Sequence, residues 1–147
     1  MNRFVRAQED DYADALSELI SGRKRTHWMW YIFPQIDGLG HSATSKYYAI
    51  KSREEAQAYL NHPVLGPRLR ECAEALLAVE GQSASKIFDY PDDLKLQSSM
   101  TLFACAGDSG SVFARVLDKY FLGRRDQKTL HLLEELRRKD KRSHGDL

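Results

Sequence analysis

The chain is short of the residues that mark secreted, metal-binding or membrane-spanning proteins. Its 147 residues include two cysteines, Cys72 and Cys105, and four prolines. Two cysteines cannot build a disulfide framework, and neither has a partner at zinc-ligand spacing. Both stand within apolar stretches, so they read as buried, reduced thiols. His27, His41, His62 and His131 are scattered with no His-x-x-x-His pair, and no metal site is expected. No run approaches the roughly 20 apolar residues of a membrane span, and the first residues lack a signal-peptide core; the cytoplasm is the expected compartment. Charge of either sign is also lacking in excess: 22 lysines and arginines against 21 aspartates and glutamates leave a formal charge of +1. No global field then draws the chain to nucleic acid or to a membrane, and neither partner is expected. Gly38 and Gly40 are followed by no Gly-Lys-Ser/Thr and preceded by no strand, so no phosphate-loop or dinucleotide cofactor is implied.

What is present is a chain of ordinary single-domain size, long enough to bury roughly 70% of its unfolded surface. Apolar residues recur at spacings of three and four, the period of helices. Asp10 and Asp11 suit the opening of a first helix, and Gly22 its close. Thr26 is placed to cap a short helix over 26–33, which Pro34 ends. Residues 47–50 read as a short extended piece. Ser52 with Glu55 forms a capping box for a helix to about Asn61. Pro63 or Pro67 starts the next, which stops at Gly81, and Ser83 caps a short one to about Phe88. Pro91 leads a helix through Cys105, and Asp108-Ser109-Gly110-Ser111 breaks it. Gly123 ends the following helix, and Asp126 caps the last. The expectation is an all-α, single irregular domain of about seven helices over residues 1–136, monomeric, with a charged tail over 137–147 that frays.

One stretch concentrates the chemistry. Arg23-Lys24-Arg25 runs into Thr26-His27-Trp28-Met29-Trp30-Tyr31-Ile32-Phe33, which holds both tryptophans. Trp28 shares a helical face with Ile32 and is assigned to the core; Trp30, about 200° away, is assigned to a site wall. A wall that mixes cations and aromatic rings can stack a planar ring and pair an anion. The loop from Pro34 to Ser45 could add backbone N–H groups at Gly38 and Gly40 and the hydroxyl of Ser42. The polar side of residues 92–99 adds Lys95, Ser98 and Ser99. Ligand-binding candidates are therefore Arg23, Lys24, His27, Trp30, Tyr31, Gly38, Gly40, Ser42, Lys95 and Ser98. His27, at a helix start, is a candidate acid or base, and Lys95 with Ser99, four residues apart, a candidate base and nucleophile. The bland counterparts are a solvated basic run, a helix-end histidine, and a surface ion pair of Lys95 with Asp92. The ligand class this suggests is an anionic, ring-bearing small molecule such as a nucleotide or ADP-ribose derivative. The rival reading is a non-enzymatic interaction module that uses the aromatic 26–33 segment against a protein, and a weaker alternative is a nucleic-acid binder.

The motifs Arg23 to Gln35, Gly38-Leu39-Gly40, Tyr59 to Gly66 and Leu94 to Phe103 together resemble the bacterial domain-of-unknown-function family numbered 1810, whose members are often labelled calpastatin in genomes. The resemblance covers about residues 3–136 and implies a mainly helical single domain, with no established activity. One departure stands out: Asp89 follows Ile87-Phe88 where the family pattern tends to have glycine. A more distant likeness, in helical make-up only, is to the family proposed to act on ADP-ribose derivatives.

Overall fold

Phe4, Ala15 and Leu19 are fully buried along one side of α1 (Asn2–Ile20), which begins well before the acidic pair Asp10 and Asp11 expected to open it. Asp10 and Asp11 lie in its middle, because the apolar residues Phe4 and Val5 already belong to the helical stripe. Gly22, at φ +78°, closes α1: its N–H donates to the Leu19 carbonyl and the Arg23 N–H to that of Glu18. This paired arrangement satisfies the orphan carbonyls of a helix end. The structure, a computed structural model, describes residues 1–107 and 111–145, with side chains as far as Lys141.

After α1 come α2 (Met29–Ile32), α3 (Ala43–Tyr48), α4 (Arg53–Asn61), α5 (Leu65–Ala78), α6 (Ala84–Phe88), α7 (Asp92–Ala106), α8 (Val112–Phe121) and α9 (Gln127–Gly145). The chain is all-α as expected, but nine helices rather than about seven are found among the described residues. The additions are short. Residues 47–48 close α3 instead of extending, because Ser42 caps that helix by accepting from the Ser45 N–H. Only Ile50 keeps an extended pairing, a parallel bridge to Ile36. The 26–33 helix shrinks to the four residues of α2, because the N–H groups of Arg25 and Thr26, the Thr26 hydroxyl and the Trp28 indole all donate to Glu18 and hold the segment before Met29 outside the helix. α5 ends at Ala78, short of Gly81, with Lys119 donating to the carbonyls of Leu76 and Leu77 at its C-terminus. The Ser52, Ser83 and Asp126 caps stand as read from the sequence. The helix break falls between Gly107 and Ser111; its residues 108–110 lie outside the described residues. The charged residues from Arg137, set apart as a fraying tail, lie in α9 as far as Gly145.

α7 is the centre of the packing, set against α4, α6, α8 and α9, while α5 joins α1, α4 and α8. Residues 98–104 are buried without interruption, as befits a helix enclosed on most sides. A row of rings runs through the core, Phe4 to Tyr59 to Phe103 to Phe113, with centroids 5.1, 5.3 and 5.8 Å apart. Edge-on and tilted contacts at these distances are the favoured aromatic geometry. Among the described residues no helix is long and apolar enough to cross a membrane.

Candidate functional site

The basic run 23–25 is shaped by one acid. Glu18, buried at the end of α1, accepts from the N–H of Arg25 at 2.6 Å, the N–H and hydroxyl of Thr26 at 2.9 and 2.7 Å, and the Trp28 indole at 3.1 Å. Burial by itself raises the pKa of this carboxyl, but the four hydrogen bonds outweigh it and hold the group below the ordinary glutamate value. The Lys24 N–H meanwhile donates to the Ile87 carbonyl at 2.8 Å. Trp28 is thus fixed in the core, 1% exposed, with its ring against Phe33 and Phe88.

Fixing the backbone there sends Lys24 inward. Its side chain is 8% exposed and its ammonium lies 3.0 Å from Asp92, the first residue of α7. A buried cation needs such a partner. The other oxygen of Asp92 lies 3.5 Å from Lys95. Each ammonium also lies over an indole, Lys24 at 5.1 Å from Trp28 and Lys95 at 5.5 Å from Trp30. Two cations share one carboxylate here, so the cluster keeps a net positive charge.

Lys95 opens onto a cleft of about 180 Å³ formed by the 35–45 loop, the first turns of α7 and the start of α9. Its polar lining includes Gln35, Gly40, Ser45 and Ser98, with Asp126 and Lys128 at one end, and Leu39, Pro91 and Leu94 supply apolar walls. Trp30 lies behind, in an adjoining space of about 10 Å³ bordered also by Gln35, Gly38, Gly40, Ser45 and Tyr48. That is roughly room for one water molecule. The loop approaches α3 so closely that a Cβ on Gly40 would lie 2.5 Å from that of Ser45.

Of the residues singled out in the sequence, Gly40, Lys95 and Ser98 line the cleft, Trp30 and Gly38 line the space behind it, and Lys24 reaches it through Asp92. Ser42 acts one step back, donating to the Ser45 hydroxyl at 2.8 Å. The others lie elsewhere. Arg23 is exposed, 3.8 Å from Asp89. His27 is exposed and lines none of these spaces. Tyr31 turns its hydroxyl to Asp11 on α1; burial first, and that carboxylate second, push its pKa up. Ser99 is fully buried with an unpartnered hydroxyl, so it does not share the cleft with Lys95. Gln35, Ser45, Asp126 and Lys128 were missed, because nothing in the sequence brings the loop and the start of α9 to the same side of α7.

A larger groove, about 580 Å³, runs between the start of α4 and α9, lined by Leu130, Leu133 and Leu136 with Cys105 and Arg53. Its size exceeds that of the cleft, and some of its polar groups are committed to one another. Arg137 pairs with Glu134 at 2.7 Å, and Arg53 donates to the Cys105 carbonyl at 2.8 Å. Cys105 itself is half-buried, less enclosed than the inward position expected for it, because it stands at the end of α7 beside this groove, where Arg125 donates to its sulfur at 3.5 Å. Among the described residues no group of histidine, cysteine and acidic side chains is arranged to hold a metal.

The backbone at Asp89 bears on the departure noted in the sequence. Asp89 adopts φ +60°, ψ 163°, a conformation almost restricted to glycine. It lies two residues before Pro91, which lines the cleft, and its own carboxylate is 3.8 Å from Arg23.

Comparison with known proteins identifies the same relatives as the motifs. The model of a family described as "Protein of unknown function (DUF1810)" matches residues 1–133. The crystal structure of a conserved hypothetical protein from Mycobacterium tuberculosis is similar, with 53% identity over 90% of this chain and 95% of that one, and a TM-score of 0.89. A search of curated proteins found no match.

Proposed function

Since the chain belongs to the DUF1810 family, we propose that it is a cytoplasmic, monomeric protein binding a small anionic, ring-bearing molecule of the nucleotide or ADP-ribose kind in the Lys95 cleft. The observation that carries the reading is Lys95: its ammonium rests over the Trp30 ring and lines a cleft together with Gln35, Ser45 and Ser98 and the charged side chains of Asp126 and Lys128. A few convergent polar groups between apolar walls is the usual form of a small-molecule site. The cleft's 180 Å³ is below the ~300–1,000 Å³ of ordinary ligand pockets, so it takes one ring or one anionic group while the rest of the ligand lies over the rim. A ring entering it rests on Leu39, Pro91 and Leu94, with Trp30 supporting Lys95 from behind.

The interaction-module reading is weaker. Trp28, Met29, Tyr31, Ile32 and Phe33 are all buried, which leaves no flat aromatic face on the 26–33 segment.

Thermal-shift titrations with AMP, ADP-ribose and ribose 5-phosphate test the proposal, with Lys95→Ala alongside. A ligand at a hundred times its Kd adds about 2.7 kcal/mol of stability, or roughly 8 °C for a chain of this size. The shift is expected in the wild type and should be lost in Lys95→Ala. No shift with any of the three compounds, or equal shifts in both proteins, contradicts the proposal.

A further inference from the structure

Gln35 is held at its backbone and free at its side chain. It stands between Pro34 and Ile36, both buried, and its carbonyl accepts from the Ile50 N–H at 2.8 Å. One residue on, the Asp37 N–H donates to the Ile50 carbonyl, also at 2.8 Å, so the bridge clamps the main chain on both sides. The side chain is half-buried and borders both the cleft and the small space under Trp30. Its amide makes no hydrogen bond to the described residues, whereas buried Ser98 and half-buried Asp126 nearby are engaged. Ser98 donates to the Leu94 carbonyl at 3.1 Å, and Asp126 accepts from the N–H and hydroxyl of Thr129 at 3.0 and 2.5 Å.

A side-chain amide offers a donor and an acceptor side by side in one plane. Half-buried and without a hydrogen bond to the described residues, it is free to pair with a ligand that supplies both complements. We infer that Gln35 determines specificity at the proposed site by pairing with a ring that presents a hydrogen-bond donor beside an acceptor, as a 6-aminopurine does, while Lys95 takes the anionic group. This rests on the cleft being a ligand site. It adds to that reading the class of ring admitted: one with an amino group next to a ring nitrogen. Paired bonds of this kind discriminate by about ten- to a hundredfold.

Isothermal titration with three compounds separates the two claims: AMP, purine riboside 5′-monophosphate, which lacks only the 6-amino group, and ribose 5-phosphate, which lacks the ring. The wild type should bind AMP about ten- to a hundredfold more tightly than purine riboside 5′-monophosphate. Gln35→Ala should bind the two alike and keep its hold on ribose 5-phosphate. Lys95→Ala should weaken all three while keeping the order. Melting temperatures of Gln35→Ala and Gln35→Glu, unchanged because the amide makes no internal bond, establish that both variants are folded. Binding of AMP without preference over purine riboside 5′-monophosphate, or a preference that survives in Gln35→Ala, overturns the role of Gln35 alone. Binding of none of the three by the wild type overturns that role together with the site.

Discussion

A single carboxylate at Glu18 anchors the run that precedes both tryptophans, and the consequences are measurable. Replacing it with glutamine exchanges charge-assisted bonds for neutral ones and presents an NH₂ to groups that are themselves donors. Glu18→Gln is expected to cost about 2–3 kcal/mol at neutral pH. Because the folded pKa is lowered, the contribution of Glu18 is fully present above the unfolded carboxyl pKa and is lost as pH falls through the folded value. The difference between wild type and variant should therefore shrink as urea titrations move from about pH 7 down to about pH 3. A penalty that stays constant over that range would show that the charge of Glu18 is not what holds the run. Asp89 makes the opposite case. Its φ of +60° with ψ 163° is unfavourable for any residue bearing a Cβ. Asp89→Gly should stabilise the fold by about 1 kcal/mol, the relieved strain exceeding the added freedom of the unfolded chain and the loss of an exposed pair with Arg23. Equal or lower stability in chemical denaturation would refute it.

α2 illustrates how one short element serves core and cleft. Trp28, its N-cap, is 1% exposed, and Trp30 is half-buried beneath Lys95. Trp28→Ala is expected to cost about 3–5 kcal/mol, as large core truncations do. Trp30→Ala should cost about 1–2 kcal/mol, for partial burial and one cation–π contact, and should weaken binding by loosening Lys95. Paired urea titrations check the split, and equal losses would contradict it. Trp28 is in the core as expected, but not by the 200° spacing of a shared helix: it stands before α2 with non-helical dihedrals, φ −135° and ψ 5°. The shortening of the helix was not legible, because the bonds that hold the preceding segment, from Arg25, Thr26 and Trp28, run to Glu18, a residue on α1. Likewise Tyr47 and Tyr48 read as strand by composition, while the local Ser42 cap decides for helix.

Over the whole molecule, helical spacing and capping residues made the all-α class legible, and the family motifs agreed. The cleft was legible in part. Lys95, Ser98 and Gly40 carry recognisable chemistry, but their meeting depends on how the 35–45 loop crosses α7, a tertiary fact with no local signature. Gln35 gave no signal at all, since an isolated glutamine in a loop is ordinary until its half-buried amide is found beside the cleft with no hydrogen bond to the described residues. The thiols divide on the same grounds. Cys72 is 1% exposed, and burial pushes its pKa up to about 12, whereas Cys105 borders the α4–α9 groove. Under native conditions a thiol reagent should label Cys105 well before Cys72, because thiolate and access are both needed. Equal rates, read by mass spectrometry, would mean that Cys72 is not enclosed as described.

The most direct test of the account is where a nucleotide lands. In an amide-resolved NMR titration of the labelled wild-type protein with AMP, the largest shifts are expected at Gln35, Gly40, Ser45, Lys95 and Ser98, around the cleft. Shifts gathered instead at residues 52–54 and 130–140, along the larger groove, or no shifts at all, would contradict the assignment of the site.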